Sequence, residues 1–243
     1  MAERRFDLVG FDGDDTLWHN ERDYRDGRER FRTIIGRVGV ALSEEDVEER
    51  VSRTELQNLP FYGYGVSSFV LSLIETSIQL TDGRIRGCDI GELLALAKAM
   101  LTSEVELFEG AREALEALAP HYPLVLITKG DLLHQRGKLD RSGLARYFRA
   151  VEVVSHKTPE TYADILTRYR IEPSRFLMVG NSPRSDILPV LDIGGWAVHV
   201  PAALSWAHEH DEVPDGARGR YMELKTLMAL PDAVHELGSA QRH

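Results

Sequence analysis

Cysteine is nearly absent from this chain of 243 residues: Cys88 stands alone. One thiol excludes an intramolecular disulfide and a cysteine-built zinc cluster, and it fits a reducing compartment. Its setting, Gly87-Cys88-Asp89, reads as a small residue at a helix start rather than a nucleophile. Long apolar runs are missing as well. No segment approaches the roughly 18 uninterrupted apolar residues of a membrane span, and Met1-Ala2-Glu3-Arg4-Arg5 leads into the first strand with no apolar stretch ahead, so a cytoplasmic protein is expected. Positive charge is scarce: 29 Lys and Arg stand against 39 Asp and Glu, a formal net charge of -10. The acidic residues are spread over several segments instead of gathered in a tail. That balance disfavours nucleic acid as a partner, and an anionic substrate would need locally placed lysines. Neither nucleic acid nor membrane is expected to bind, and the sequence sets no oligomeric state.

What the chain does have is an apolar strand that runs straight into carboxylates, Phe6-Asp7-Leu8-Val9-Gly10-Phe11 followed by Asp12-Gly13-Asp14-Asp15-Thr16-Leu17. Two carboxylates two residues apart at the end of a buried strand are costly to desolvate unless a cation or a reacting group compensates them. Gly13 allows a turn and close approach to a ligand, and Thr16 adds a hydroxyl. Taken alone, this D-x-D-x-T reads equally well as an acidic turn capping a helix that begins near Trp18.

From about Glu21 to Val38 the apolar residues fall at helical spacing. Ser43 offers an N-cap, with Asp46 at the capping-box position, for a second helix that Pro60 is expected to stop. Val66 to Leu80 and Asp89 to Leu101 read as two more helices, the last rich in Leu and Ala. Strands alternate with helices only afterwards: apolar runs at Pro123 to Ile127, Ala150 to Val154, Phe176 to Val179 and Trp196 to Val200. Between them lie helices ending at Leu118, near Leu132 to Gly143, from Pro159 to Tyr169 and from Ser185 to Leu191, with a last helix after Leu230. Continuously apolar strands in this alternation imply an α/β protein with a parallel sheet covered on both faces. The expected division is a core of residues 1–19 and 104–243 and an inserted all-helical domain of residues 20–103.

Such sheets gather ligands at the carboxyl ends of their strands. The first strand delivers Asp12 and Asp14 there, the second Thr128, Lys129 and Gly130, the third Ser155, His156 and Lys157, and the fourth Gly180, Asn181, Ser182 and then Asp186. Asp12, Asp14 and Asp186 with Asn181 form a hard, oxygen-rich set suited to Mg2+. Lys157 would offset the accumulated negative charge, while Thr128 and backbone amides near Gly13 and Lys129 could bind phosphoryl oxygens.

In this order the residues resemble the haloacid dehalogenase-like hydrolase superfamily: D-x-D-x-T after strand one, Thr128 after the next apolar strand, Lys157 before Pro159, and Gly180-Asn181-Ser182-x-x-x-Asp186. The resemblance extends from about Phe6 to Val200, and the helical insertion is similar to the caps of one branch. It implies a Rossmann-like core with a helical cap, and a Mg2+-dependent phosphatase acting on a small phosphorylated metabolite. Asp12 would be the nucleophile, forming an aspartyl-phosphate. Asp14 would protonate the leaving oxygen and then activate water, its backbone carbonyl meeting the metal. Thr128 and Lys157 would hold the phosphoryl group, Asp12, Asp14 and Asp186 the metal, and Gly13, Lys129 and Asn181 would contact substrate.

Within the superfamily, metal-free dehalogenases lack an acid/base aspartate at the position of Asp14, which favours phosphotransfer here. Asn181 departs from the aspartate common in the phosphatases; its amide oxygen either ligates the metal or hydrogen-bonds beside it. A phosphomutase, a 2-haloacid dehalogenase-type hydrolase and a non-catalytic phosphate-binding regulator stay open as alternatives. His208-Glu209-His210-Asp211 lacks ligand spacing and reads as a solvated loop. His156 reads as a surface imidazole. Phe61-Tyr62-Gly63-Tyr64-Gly65 reads either as a pocket wall or as helix packing, and Trp18-His19-Asn20 as a hinge, a specificity contact or a first helical turn.

Overall fold

The computed structural model describes residues 5–204 and 219–239, with Trp206, Glu209, Asp211 and Val213 between them. His208 and His210 lie outside the described residues. The strands are β1 (Leu8–Phe11), β2 (Leu124–Lys129), β3 (Ala150–Val154), β4 (Phe176–Gly180), β5 (Trp196–His199) and β6 (Tyr221–Glu223). They form one sheet in the order β3-β2-β1-β4-β5-β6, and every neighbouring pair is parallel. The order reverses direction at β1, where the chain steps to β2 on one side and β4 on the other. This switch point opens a crevice at the carboxyl ends of the central strands.

Strand periodicity of two assigns the core to both faces of the sheet. Val9, Phe11, Leu124, Leu126, Leu177 and Val179 pack on one side with Leu115 and Leu118 of α5 (Ala111–Leu118) and with Val234 of α9 (Leu230–Ser239). Leu8, Val125, Ile127, Phe176 and Met178 face the other side, against Tyr162, Ile165 and Leu166 of α7 (Pro159–Tyr169) and Val190 of α8 (Leu188–Asp192). Each such fully buried side chain stabilises the fold by about 1.5–3 kcal/mol relative to exposure. Gly10 opposes Met178 across the β1–β4 pair, and a Cβ there would meet the Phe176 ring at 2.8 Å, so only glycine lets that ring cross β1.

The helices of the insertion are α1 (Glu21–Gly36), α2 (Glu44–Tyr62), α3 (Val66–Leu80) and α4 (Gly87–Thr102). Residues 22–104, with 130–134, form a compact unit separate from the sheet unit of residues 1–21, 105–129 and 135–243. The stretch 130–134 at the start of α6 (Leu132–Ser142) belongs to the helical unit, a long-range association that sequence periodicity does not encode. Phe31, Ile34, Val47, Val51, Phe69, Leu73 and Leu93 make the core of that unit. Gly27 lets α1 approach α3, since a Cβ would stand 2.8 Å from the Phe69 ring.

Several local features differ from expectation. Pro60 does not stop α2, which continues to Tyr62 and ends at Gly63 with φ +68°. In the last turn, proline removes only the bond to the Leu56 carbonyl, and its fixed φ is helical. The Ser43–Asp46 capping box forms at the other end. Phe61 and Tyr62 are exposed at the helix terminus. Residues 18–19 are extended instead of helical: Trp18 pairs with Leu107, and the His19 N–H bonds the Glu106 carbonyl at 2.9 Å. The expected helix from Ser185 begins as a wider π-type turn over Pro183–Ile187 before α8. β6 has three residues on a partly exposed edge, too short for alternation to announce it.

Arg28 sits buried in the helical unit between Glu55 at 3.1 Å and the partly exposed Glu48 at 3.1 Å, over the Phe69 ring. Burial raises the Glu55 carboxyl to about 7 against the opposing pull of Arg28. Arg28→Met strands that carboxylate, and loss of one partner of a buried pair costs roughly 3–5 kcal/mol. Because the Glu55 pKa lies above its unfolded value of 4.5, the native state gains a proton as pH falls from about 7 toward 4.5. Urea unfolding of Arg28→Met is therefore expected to show a larger deficit at pH 8 than at pH 5.

Candidate active site

The site lies at the carboxyl ends of β1, β2, β3 and β4 and belongs wholly to the sheet unit. After Phe11 the chain folds over the Gly13 carbonyl, which accepts the N–H groups of Thr16, Leu17 and Trp18 at 3.3, 2.8 and 3.3 Å. Asp15 adopts a left-handed φ of +58° and accepts from the Asn20 N–H at 2.9 Å and the Glu21 N–H at 3.1 Å. The capping role thus falls to the third carboxylate of the run, so Asp12 and Asp14 are not needed for it. Burial raises the Asp15 carboxyl to about 7. Gly13 makes its close approach to Trp18: a Cβ would lie 2.6 Å from the indole.

Lys157 is the hub. Its buried ammonium donates to Asp12 Oδ1 at 2.5 Å and to Asp186 Oδ1 at 2.6 Å. It is placed by the junction from β3 to α7, where the Thr158 hydroxyl caps the helix and Pro159 opens it. Asp186 is turned back toward β4 by the π-type turn, and the Ser182 N–H donates to its Oδ2 at 3.1 Å. Gly180 clears space for it, since a Cβ would stand 2.3 Å from the Asp186 carboxylate carbon. Burial raises the Asp12 carboxyl to about 7, against the attraction of Lys157 and with the repulsion of Asp186. Burial works against the Lys157 ammonium, but Asp12 and Asp186 outweigh it and keep its pKa above the ordinary value.

Thr16 donates to Asp12 Oδ2 at 2.9 Å, and the amide end of Asn181 lies 3.2 Å from the same hydroxyl. A hydroxyl has one proton to give, and the carboxylate takes it. Asn181 Oδ1 is the amide atom that faces this hydroxyl, a longer and competing approach beside the carboxylate. His199 Nε2 donates to the Asn181 carbonyl at 3.0 Å and ties that loop to β5.

Asp14 is held apart from this pair. Trp18 Nε1 donates to its Oδ1 at 2.6 Å, Gln135 Nε2 to its Oδ2 at 2.8 Å, and Lys138 forms an ion pair with it. Burial opposes the charged form, but the Lys138 ammonium and the three hydrogen bonds outweigh it and lower the pKa. Sequence reasoning missed Trp18, Gln135 and Lys138 in this role. The available signal was two polar residues three apart on α6, which lie side by side on one helix face.

Thr128 is buried at the end of β2, its hydroxyl engaged among the described residues only by a 3.4 Å approach to the Lys129 carbonyl, and so keeps bonding capacity for a ligand. The Lys129 ammonium points to Ser185 at 2.9 Å and Glu209 at 2.5 Å. Glu209 also accepts from the Ser182 and Ser185 hydroxyls at 2.7 and 2.5 Å. In the sequence Glu209 looked like part of a solvated loop; it is instead a half-buried anchor. Burial opposes its charge, yet Lys129 and the two hydroxyls lower it to about 2.

Among the described residues no three His, Cys, Asp or Glu side chains converge as a ready metal cluster. The expected trio is divided, with Asp12 and Asp186 on Lys157 and the Asp14 carboxylate on Lys138. Two carboxylates sharing one ammonium leave a net negative charge, which suits a hard divalent cation that takes one or two carboxylates and retains water.

A carboxylate at the carboxyl end of the first strand meets a buried lysine at the topological switch point of the sheet, where folds of this α/β class bind their ligands. The family model for haloacid dehalogenase-like hydrolases matches residues 6–194, and the chain belongs to that family. A haloacid dehalogenase-like family hydrolase from Xanthomonas campestris is 41% identical, with a TM-score of 0.86 over 98% of this chain and 94% of that one. A 2-haloacid dehalogenase from Pseudomonas syringae pv. tomato is 21% identical, with a TM-score of 0.64 over 95% and 99%. A predicted phosphoglycolate phosphatase from Haemophilus somnus is 18% identical, with a TM-score of 0.62 over 94% and 99%. These two show the fold alone. No curated protein matches the chain.

Two stability measurements test the geometry. Gly180→Ala forces the Asp186 carboxylate aside and is expected to cost about 1–3 kcal/mol by overpacking, whereas Gly87→Ala, with open space around it, costs nothing in the same urea titration. Glu209→Gln removes the Lys129 partner. The Glu209 pKa is depressed from 4.5 to about 2, so its contribution, on the order of 3 kcal/mol, is full above pH 4.5 and lost as pH falls toward 2. Wild type and Glu209→Gln are expected to differ most at pH 7 and to converge in acid.

Proposed function

We propose that this hydrolase is a Mg2+-dependent phosphatase that cleaves a small phosphorylated metabolite through an aspartyl-phosphate on Asp12, in a reducing, cytoplasmic setting. The observation that carries the reading is Asp14, a second carboxylate two residues from the nucleophile and gripped by Trp18, Gln135 and Lys138. A single displacement at carbon needs no such group. Transfer to and from a carboxylate needs one twice, to protonate the leaving oxygen and to deprotonate water.

Asp12 Oδ2 receives the Thr16 proton and Oδ1 that of Lys157, so the nucleophile is fixed in orientation before substrate arrives. Asp12 attacks phosphorus, the bond to the leaving oxygen breaks, and Asp14 gives that oxygen its proton. Lys157 neutralises the repulsion between carboxylate and phosphoryl group, and the Thr128 hydroxyl binds a phosphoryl oxygen. Water then yields a proton to Asp14 and attacks the same phosphorus, releasing phosphate and restoring Asp12. The proton that Asp14 takes in one turnover serves the leaving oxygen of the next. The Asp12 and Asp186 carboxylates and the Asp14 backbone carbonyl would hold Mg2+, which would supply positive charge for the phosphoryl oxygens.

Asn181 favours a second reading, 2-haloacid dehalogenation, because it brings an amide where an acid would hold the metal more tightly. An aryl phosphate assay with Mg2+ separates the two. Wild type is expected to release phosphate, with a loss of about a thousandfold or more in Asp12→Asn. Equal rates would sink the nucleophile assignment, and halide release from a 2-haloacid without phosphate release would select the dehalogenase.

A further inference from the structure

Resting on the phosphatase reading, we propose that Gln135 is a further catalytic residue: its Nε2 fixes Asp14, and its Oε1 accepts a hydrogen bond from the water that attacks the aspartyl-phosphate.

Gln135 is 3% exposed, yet its two amide atoms are treated very differently. Nε2 donates twice, to Asp14 Oδ2 at 2.8 Å and to the Lys129 carbonyl at 2.7 Å. Both partners are acceptors, so the amide cannot be turned around and Oε1 is fixed as the atom that meets neither of them. That oxygen is buried and receives no hydrogen bond from any described residue. A buried acceptor left unmet costs about 1–3 kcal/mol, and such an atom beside an acid/base carboxylate calls for a donor supplied by the reaction.

Nε2 and Oε1 share one carbon, so an oxygen bound by Oε1 stands next to Asp14. Water brings two protons to that place. One is transferred to the Asp14 carboxylate as the new phosphorus–oxygen bond forms and the bond from phosphorus to Asp12 breaks; the other stays on the attacking oxygen, hydrogen-bonded to Gln135 Oε1. Atoms and charge balance without a co-reactant. In the first half-reaction the leaving oxygen needs no acceptor at Oε1, because Asp14 is then the donor. The role is therefore specific to hydrolysis of the intermediate. Lys138, which also bonds Asn20 Oδ1 at 3.1 Å, acts through Asp14 and is a positioning residue.

The test is a rapid-mixing experiment with p-nitrophenyl phosphate and Mg2+ on Gln135→Met, which keeps the length of the side chain, and on Gln135→Ala. In both, nitrophenolate is expected in a burst approaching one equivalent per chain. A steady rate lowered on the order of 10- to 100-fold should follow, and acid-quenched protein should carry phosphate. An unchanged steady rate overturns the proposal. So does a lower rate with no burst and no phosphoprotein, which is the signature of a loosened Asp14 slowing both halves alike. Failure of both variants to fold would make Gln135 a structural residue and also overturn it. If wild type neither releases phosphate nor becomes phosphorylated, it is the phosphatase reading that fails.

Discussion

The buried ammonium of Lys157 between Asp12 and Asp186 is the contact on which the rest of the site depends. It joins three strand ends that are far apart in sequence, β1, β3 and β4. Without it, two carboxylates would share a desolvated crevice, and one of them would take up a proton. Gly180, the π-type turn and the cap of α7 are all local means of bringing those charges to one point. The remaining negative charge suits a hard divalent cation.

Around this hub the other charges are kept separate. Asp14 has its own ammonium in Lys138, and Glu209 has Lys129. Asp15 is spent on capping α1. Four carboxylates near one strand end would otherwise raise one another's pKa values. Divided among distinct partners they hold distinct protonation behaviour, with Asp12 raised and Asp14 and Glu209 lowered. The two carboxylates of one short motif thus differ both in partner and in protonation.

The sheet was legible because the apolar runs that fill β1, β4 and most of β2 and β5 are buried on both faces and alternate with helical segments. The residues immediately after those strands could then be read as one site, and Lys157, Asp12 and Asp186 do meet. Less visible were features set by tertiary contact. β6 is too short to show alternation, and Pro60 is tolerated because it falls in a last turn. Gln135 and Lys138 are ordinary polar residues on α6 until the fold turns them onto Asp14. Glu209 lies in a polar stretch whose sequence resembles a solvated loop, and its burial depends on Lys129, 80 positions earlier. Gly13 also makes room for the Trp18 ring, whose indole N–H holds the Asp14 carboxylate from the same turn.

The central claim is that Asp12 attacks phosphorus and that water later attacks that same phosphorus, leaving the Asp12 carboxylate oxygens untouched. Turnover of an aryl phosphate in oxygen-18 water, followed by mass spectrometry of the released phosphate and of the peptide containing Asp12, tests this most directly. The account predicts one labelled oxygen in the phosphate and none in Asp12. Label accumulating in the Asp12 carboxylate would mean that water attacks the acyl carbon, as in cleavage of a carbon ester, and would contradict it.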